Sequence, residues 1–382
     1  MFLHPYLPRL LRCLLRLAEL DTPAARSVEL GIKAQAVGRA LARAIPARQL
    51  LPAMVDTIGV AAQAGAPAQV ELIRLLQTHV TLRPPTEARS HHGLVFQLLL
   101  SGLVFRSHQV SSNTVLLEAP AAVEAITGTA LADVVMRLDE EAFGVFFSRS
   151  LRWARVESDS SDAVVVPLSL PRALSFFRVM HATQALLRSL FAPYFALALP
   201  FAISCFGARQ QQPIAADGAK RRRIDVTEND RRDIEVALNM ALIHSIELGF
   251  SNEPEKPPVE QLRTLEKALI TRLSWQPHAT LLPALLGAIG ALATYLGVDG
   301  CKPLHYELCM ATQAEDEVQR RSAVRGLQKL YAVLPDAVLV HSPEAVPFLS
   351  ELLEDSDPEA RAHALDLLNT LEQSNAGLLE ED

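Results

Sequence analysis

The most concentrated positive charge in the sequence is the run of Lys220, Arg221, Arg222 and Arg223. Short basic runs of this kind serve as nuclear-import signals or contact nucleic-acid phosphates, because their cations neutralise phosphate charge. The surrounding residues, 207–230, are rich in glutamine, glycine and alanine, a composition that predicts a disordered insertion. The run is therefore a candidate nuclear-import signal or RNA-phosphate contact, with a solvated basic linker as the plainer alternative.

Two other groups contain residue types that could do chemistry. Glu87 and His91, followed by His92, have a spacing that can place two metal ligands on one helix face, but no third ligand lies nearby in the sequence. The run 139–141, Asp-Glu-Glu, resembles paired carboxylates for acid–base catalysis, although acidic residues before a helix more simply favour its positive end. Glycine-rich phosphate loops, GxSxG elbows and HExxH motifs do not occur in the sequence. We expect no catalytic, cofactor-binding or metal-binding residues and no enzymatic activity.

The cysteines and the net charge restrict the class of protein further. Cys13, Cys205, Cys301 and Cys309 form no CxxC pair, which indicates buried thiols in a reducing compartment rather than disulfides or a structural metal. A formal net charge of −7 argues against nucleic-acid binding through the charge of the whole chain. The acidic residues after position 350 are interpreted as a solubilising end of a repeat array.

A repeated pattern near the C-terminal end gives the strongest indication of the fold. Four residues recur in the same order 41 positions later: Asp316, Arg320, Ala323 and Leu327 correspond to Asp357, Arg361, Ala364 and Leu368. This interval is within the range of HEAT-type helix pairs. Two such pairs in register favour an α-solenoid, and two ordinary antiparallel helix pairs in a bundle are the alternative.

The stretch 336–373 predicts two helices and a tight turn. Pro343 is expected at the start of the first helix, where a missing N–H costs nothing. Asp357 is expected to cap the second helix. Apolar residues at helical spacing are expected to line the buried face of the first helix: Val346, Phe348, Leu349, Leu352 and Leu353.

Composition supports an entirely helical fold. The chain of 382 residues is 49% hydrophobic but only 5% aromatic, so its core consists mainly of Leu, Ala and Val. Small residues of this kind allow helices to pack closely. We therefore predict an all-α protein, a HEAT-like α-solenoid of stacked antiparallel helix pairs.

Three N-terminal and central segments carry specific expectations. Arg9, Arg12 and Arg16 interrupt the apolar N-terminus, which excludes a signal peptide, and this helix is expected to continue an array or pack on a partner. The helix 27–44 is expected to face inward through Val28, Ile32, Val37 and Leu41. Residues 189–206 are apolar enough to suggest a membrane span, but Pro193 and Pro200 should divide them, and a buried helix is favoured.

The predicted organisation has four parts. Residues 1–45 are interpreted as leading helices of the array and 46–206 as a helical domain. Residues 207–230 form the disordered basic insertion, and 231–382 form the terminal HEAT-like repeats with the acidic tail.

Several blocks, taken in order, resemble a known family. They are Ile45–Pro52 (IPARQLLP), Glu141–Ala154 (EAFGVFFSRSLRWA), Lys302–Thr312 (KPLHYELCMAT) and Glu344–Asp357 (EAVPFLSELLEDSD). They resemble the C-terminal part of the large HEAT-repeat subunit of the small-subunit processome. This is the family of U-three small nucleolar RNA-associated protein ten and HEAT-repeat-containing protein one. The chain departs from the family at His305, where the block has asparagine, and it matches only the last part of much longer proteins.

The resemblance implies a non-catalytic nucleolar scaffold in ribosome biogenesis. Members of the family belong to an early-binding subcomplex on the 5′ external transcribed spacer of pre-rRNA, together with the U3 snoRNP. They support processing toward 18S rRNA and are linked to rDNA transcription. The expected partners are therefore processome subunits and this ribonucleoprotein, without a membrane. The alternatives are a HEAT-repeat adaptor in another pathway, such as nuclear transport, a helical membrane protein built on residues 189–206, or a hydrolase or metal enzyme.

Overall fold

The computed structural model describes residues 6–19, 25–111, 118–155, 168–207, 228–252, 254–275 and 278–379. Within these ranges the regular structure is helical, and no strand occurs. Most of the predicted insertion, residues 208–227, lies outside them. The described residues form these α-helices: α1 Leu7–Glu19, α2 Ala25–Ala44, α3 Ala47–Val55, α4 Ile58–Ala64, α5 Ala66–Leu82, α6 Pro85–Ser90, α7 His92–Ser111, α8 Glu118–Val135, α9 Glu140–Arg155, α10 Leu170–Leu187, α11 Ala192–Gly207, α12 Glu228–Ser251, α13 Val259–Thr271, α14 His278–Gly300, α15 Lys302–Ala311, α16 Glu317–Val333, α17 Asp336–Glu351 and α18 Pro358–Leu379.

The helices form two compact units. The first contains α1 to α10 and the part of α12 up to Ala241, and the second contains α11, the remainder of α12 and α13 to α18. The four-part organisation predicted from the sequence stays a prediction.

In the first unit, helices pack in two layers. One layer runs α2, α5, α8 and α10, each helix packed on the next. The other contains α3, α7 and α9, and α7 packs on both of its neighbours. Leu72, Leu76, Val123 and Ala130 are fully or almost fully buried where α5 and α8 contribute to the core. Burial of a Leu or Val side chain contributes about 1.5–3 kcal/mol, so the layered core is the main source of stability here.

In the second unit, the stacking is more regular. Helices α13, α15 and α17 form one layer, and α14, α16 and α18 form the other. Each helix packs on the next member of its own layer, and α15 with α16 and α17 with α18 form pairs. Side chains such as Leu304, Leu308, Leu327 and Leu349 are fully buried between the layers. This arrangement confirms the predicted all-α, HEAT-like α-solenoid.

The repeated aspartates occupy equivalent positions at helix starts. Asp316 precedes α16, and its Oδ1 accepts a hydrogen bond from the Val318 backbone N–H at 3.3 Å. Asp357 precedes α18, and its Oδ1 accepts from the Glu359 N–H at 3.0 Å. Both side chains therefore satisfy a backbone donor that the helix leaves free, as expected of an N-cap. The predicted capping role of Asp357 is confirmed.

The prediction that Pro343 starts a helix is wrong. Helix α17 begins at Asp336 and continues through Pro343 and Pro347. Both prolines are exposed, so the carbonyls that lose an N–H partner can bond to water instead. Of the residues expected on the buried face, Leu349 and Leu352 are buried, whereas Val346 of α17 and Leu353 of the turn after it are 40% and 39% exposed.

The predicted inward face of α2 is also wrong in part. Leu41 is buried, but Ile32 and Val37 are 60% and 41% exposed. The helix packs through small residues instead, including Ala34 and Gly38. A side chain at Gly38 would contact Glu71 and Leu75 of α5. Close helix–helix approach at small residues therefore displaces the β-branched side chains to the surface.

The segment 189–206 is divided only at its start, because a 3₁₀ helix, Arg188–Phe191, precedes α11, which begins next to Pro193. Helix α11 runs continuously through Pro200, and the break before it falls at Arg188, whose φ is 51°. By length and composition alone, three helical stretches among the described residues could cross a membrane: 170–206, 230–251 and 279–300. In the most apolar window of each stretch, 44–56% of the residues are buried inside the protein.

Candidate functional site

The sequence-predicted chemical residues do not form a site in the described part of the chain. Lys220, Arg221, Arg222 and Arg223 lie outside the described residues, so their proposed role is untested. His91 Nδ1 lies 3.0 Å from the Glu87 carbonyl oxygen, and His92 Nδ1 lies 2.9 Å from that of Arg89. These histidines contact backbone at the α6–α7 junction, and the structure does not bring them together with a third ligand among the described residues.

The acidic run 139–141 lies at the start of α9, as the helix-end interpretation predicted. Glu140 and Glu141 occupy the first turn of α9, where a negative charge is favoured by the helix dipole. Asp139 forms an exposed ion pair with Arg89 at 3.3 Å. This arrangement stabilises a helix start and gives no carboxylate pair facing a reaction centre.

The thiol prediction holds for three of the four cysteines. Cys205, Cys301 and Cys309 are buried, but Cys13 is exposed on α1, because the buried face of that helix consists of leucines. Burial raises the pKa of Cys309 to about 12, so this thiol stays protonated at neutral pH.

A buried ion cluster lies in the first unit. Arg106 of α7 donates two hydrogen bonds to the Glu124 carboxylate of α8, at 2.6 and 2.7 Å. Ser175 and Arg178 of α10 donate to the same carboxylate at 2.6 and 3.2 Å. Arg106 and Glu124 are 3% and 1% exposed. Four charge-assisted hydrogen bonds to one carboxylate tie three helices together, so this cluster holds the packing rather than a substrate.

A second cluster lies in the last repeats of the second unit. His305 of α15 and His341 and Glu344 of α17 bring a nitrogen of each ring and a carboxylate oxygen within 4.8 Å of one another. The two imidazole rings are stacked, with their centroids 5.1 Å apart. Both histidines are buried, whereas the Glu344 side chain is 46% exposed. The cluster therefore opens toward solvent on its carboxylate side.

Each of the two rings lies within hydrogen-bond distance of a neighbour through its Nε2. His305 Nε2 lies 2.8 Å from the Tyr331 hydroxyl of α16, and His341 Nε2 lies 2.9 Å from the Val298 carbonyl oxygen. Glu344 pairs with the Lys302 ammonium at 3.0 Å, and this hydrogen bond lowers the pKa of the carboxyl below its usual range. Burial, together with the charge of His341, lowers the pKa of His305 to about 4, so its ring is neutral at pH 7.

No local spacing in the sequence predicted either cluster as a whole. Arg106 and Glu124 are on different helices, and His305 and His341 are 36 positions apart without a ligand-type spacing. Packing of α7 on α8 brings Arg106 to Glu124, and stacking of α15 on α17 brings His305 to His341. The spacing of His341 and Glu344, at i and i+3, does indicate from the sequence alone that both lie on one face of α17.

The exposed surface offers two further features. Arg9, Arg12 and Arg16 are exposed along one face of α1, at spacings of three and four residues. Tyr306 and Met310 are 53% and 41% exposed on α15, one helical turn apart. Neither feature is a reaction centre; each is a surface that a large partner can reach.

The described residues form two layers of stacked helix pairs, and they contain no cluster of catalytic residues. This architecture defines the protein as a HEAT-like α-solenoid. Residues 87–255 match the BP28CT (NUC211) domain family. The chain is homologous over most of its length to HEAT repeat-containing protein 1 and U3 small nucleolar RNA-associated protein 10.

The homology covers this chain well but only part of each relative. The human HEAT repeat-containing protein 1 is 24% identical over 97% of this chain and 17% of its own length. The U3 small nucleolar RNA-associated protein 10 of Saccharomyces cerevisiae is 26% identical over 71% of this chain and 14% of its own. An uncharacterized Arabidopsis thaliana protein is 24% identical over the whole chain and 18% of its own length. The chain thus spans less than a fifth of these three relatives.

Among solved structures, a mutant of Kap121p is similar in fold, with a TM-score of 0.43 and 13% sequence identity. The matched region covers 94% of this chain and 37% of the Kap121p chain. The solenoid assignment rests on the two helix layers themselves.

Proposed function

We infer that this chain is a non-catalytic scaffold segment in ribosome biogenesis. The observation that carries this proposal is its homology over most of its length to a protein named for association with U3 small nucleolar RNA. In the finer form of the proposal, the chain acts in the nucleolus as part of the small-subunit processome. It supports processing toward 18S rRNA, and its proposed partners are subunits of the early-binding subcomplex, the U3 snoRNP and the 5′ external transcribed spacer. A link to rDNA transcription belongs to the same proposal.

The packing of the repeats supports a scaffold. In the second unit, Arg320 and Asp355 link consecutive helix pairs, and in the first unit Glu124 links α7, α8 and α10. Ion pairs and hydrogen bonds between neighbouring helices fix the relative positions of their surfaces. Stacked repeats present extended surfaces to partners. A scaffold needs this surface rather than a reaction centre.

Two described surfaces are suited to separate tests of RNA and protein contact. Arg9, Arg12 and Arg16 on α1 are exposed cations that can neutralise phosphates. Tyr306 and Met310 on α15 are exposed apolar side chains of the types that are enriched in protein interfaces. Lys220 to Arg223 remain a proposed nuclear-import signal or RNA-phosphate contact.

The decisive experiment is a crosslinking pull-down of the full chain from nuclear extract, with RNA sequencing and protein identification on the same sample. We expect pre-18S spacer RNA and U3 RNA together with processome subunits. Capture of transport receptors without these RNAs would support the nuclear-transport adaptor instead. Recovery of neither class would contradict the proposal.

Variants that remove surface charges distinguish RNA binding from protein binding. Replacing Arg9, Arg12 and Arg16 by Gln should reduce RNA crosslinks but leave protein capture intact. With purified single-stranded RNA, loss of three phosphate contacts should reduce the slope of log affinity against log salt by about 2. The matched control, R149Q with R152Q, removes exposed arginines from α9 and should leave both readouts unchanged.

Localisation is tested by expressing the full chain and its variant with Lys220, Arg221, Arg222 and Arg223 replaced by Ala. The proposal expects nucleolar accumulation of the first and reduced nuclear accumulation of the second. Alkaline carbonate treatment of the same cells should release the chain without detergent. Retention in the membrane fraction would favour a helical membrane protein.

A further inference from the structure

The cluster of His305, His341 and Glu344 has the donor set of a divalent-metal site. Two imidazole nitrogens and one carboxylate oxygen are ligands that Zn²⁺ binds in proteins, and three protein ligands leave a fourth position for water. We propose that these three residues bind one Zn²⁺ ion in the terminal repeats. This proposal is independent of the RNA-processing function proposed above.

The hydrogen bonds at Nε2 of both rings support this assignment. A carbonyl oxygen only accepts, so His341 must carry its proton on Nε2 to bond to Val298, which leaves the Nδ1 lone pair available in the neutral ring. When His305 Nε2–H donates to the Tyr331 hydroxyl, its Nδ1 can bind the ion in place of its weak contact with the Cys309 Sγ, 4.0 Å away. Metal-binding histidines usually donate the other ring N–H to a carbonyl or another acceptor, and both rings here have such a partner.

The positions of the side chains make closure around an ion possible. Tetrahedral Zn²⁺ with bonds of 2.0–2.2 Å requires its ligand atoms to lie about 3.4 Å apart, closer than the 4.8 Å limit within which these atoms lie. Glu344 is the half-exposed member, so its carboxylate can move toward the buried rings without disturbing the core. Lys302 now supplies the positive charge next to this carboxylate, and the ion would compete with it.

The experiment uses the full chain, prepared without a histidine tag, treated with a chelator and titrated with Zn²⁺ by calorimetry. Co²⁺ absorption and thermal melts provide independent readouts. We expect one equivalent of Zn²⁺ to bind and to raise the Tm. E344Q should weaken binding at least about tenfold, because even loss of a residue that only hydrogen-bonds to a metal ligand costs 10–100-fold in affinity. E351Q alters another exposed carboxylate of α17 and should bind like the wild type.

Further variants distinguish this site from binding elsewhere. H305N and H341N should weaken binding at least as much as E344Q, with circular dichroism to verify folding. The matched control is H79N in the first unit, since His79 is also buried and lies 2.9 Å from the Ala42 carbonyl. K302Q should tighten binding, because it removes the competing ammonium. No saturable binding, or binding that none of the cluster variants changes, would overturn the proposal.

Discussion

The Arg320 guanidinium of α16 forms a bidentate ion pair with Asp355, in the turn before α18, through distances of 2.6 and 2.9 Å. The same guanidinium donates to the carbonyl oxygens of Ala314 and Glu315 in the preceding turn. One side chain thus binds two successive turns. The hydrogen bonds from Arg320 hold the pKa of Asp355 below its usual range, so the pair is fully charged near neutral pH.

Loss of this pair should weaken the terminal repeats. We expect R320Q to lower the free energy of unfolding by about 1–3 kcal/mol, because the pair is bidentate and partly buried. Arg361 gives the comparison, since it donates to the carbonyls of Asp355 and Ser356 in its own turn. R361Q should lower the free energy of unfolding by less than R320Q does. Chemical denaturation of both variants measures the difference, and equal losses would show that the bond between repeats contributes nothing.

Stability should be more sensitive to the buried cluster in the first unit than to the Arg320–Asp355 pair. We expect E124Q to destabilise by about 3 kcal/mol or more, because it leaves the Arg106 cation buried without its full counter-charge. E118Q changes an exposed carboxylate on the same helix and should alter stability by less than about 0.5 kcal/mol. Thermal and denaturant unfolding of the two variants give the comparison. A near-neutral E124Q would mean that the arginines rearrange to reach solvent.

Local patterns predicted the repeat but not its side-chain clusters. Asp357 was predicted as a helix cap because capping depends on residues within one turn, and the structure confirms it. His305 and His341 come together only through stacking of two helices that are not consecutive in the chain. Such a contact has no short-range sequence period, so the candidate metal site could not be predicted.

Helix faces were predicted less well than helix existence. The period of apolar residues placed Ile32 and Val37 inward, but helix α2 packs through Ala34 and Gly38. Small residues have little apolar area, so hydrophobic periodicity underestimates them, although they permit the closest packing. The prediction that Pro343 starts a helix failed because it considered only the neighbouring residues. It did not include the exposure of this face of α17 to solvent, which allows proline inside the helix.

Glu266 should give the second unit an unusual pH dependence. Burial raises the pKa of this carboxyl from 4.5 to about 7. The folded state therefore holds more protons than the unfolded state between these values, and the free energy of unfolding falls as pH rises through this range. The loss should reach roughly 3 kcal/mol by pH 8. Denaturation between pH 5 and 8 should show a flatter profile for E266Q than for the wild type.

The control for this profile is E260Q, which alters an exposed carboxylate on the same helix, α13. It should keep the slope of the wild type. If E266Q and the wild type lost stability in parallel with pH, the burial of Glu266 would not account for the slope.

Two glycines should respond to the same substitution with opposite signs. An added Cβ at Gly128 of α8 would lie 2.5 Å from the Ala182 Cβ and 2.9 Å from the Val179 carbonyl oxygen of α10. G128A should therefore lower stability by about 1–3 kcal/mol, since the helices must separate to accept the methyl group. G144A in α9 meets nothing within 4 Å and should raise stability by about 0.5–1 kcal/mol through helix propensity. Thermal melts of the two variants measure the change in stability of each. A stabilising G128A would show that α8 and α10 are not in close contact at this point.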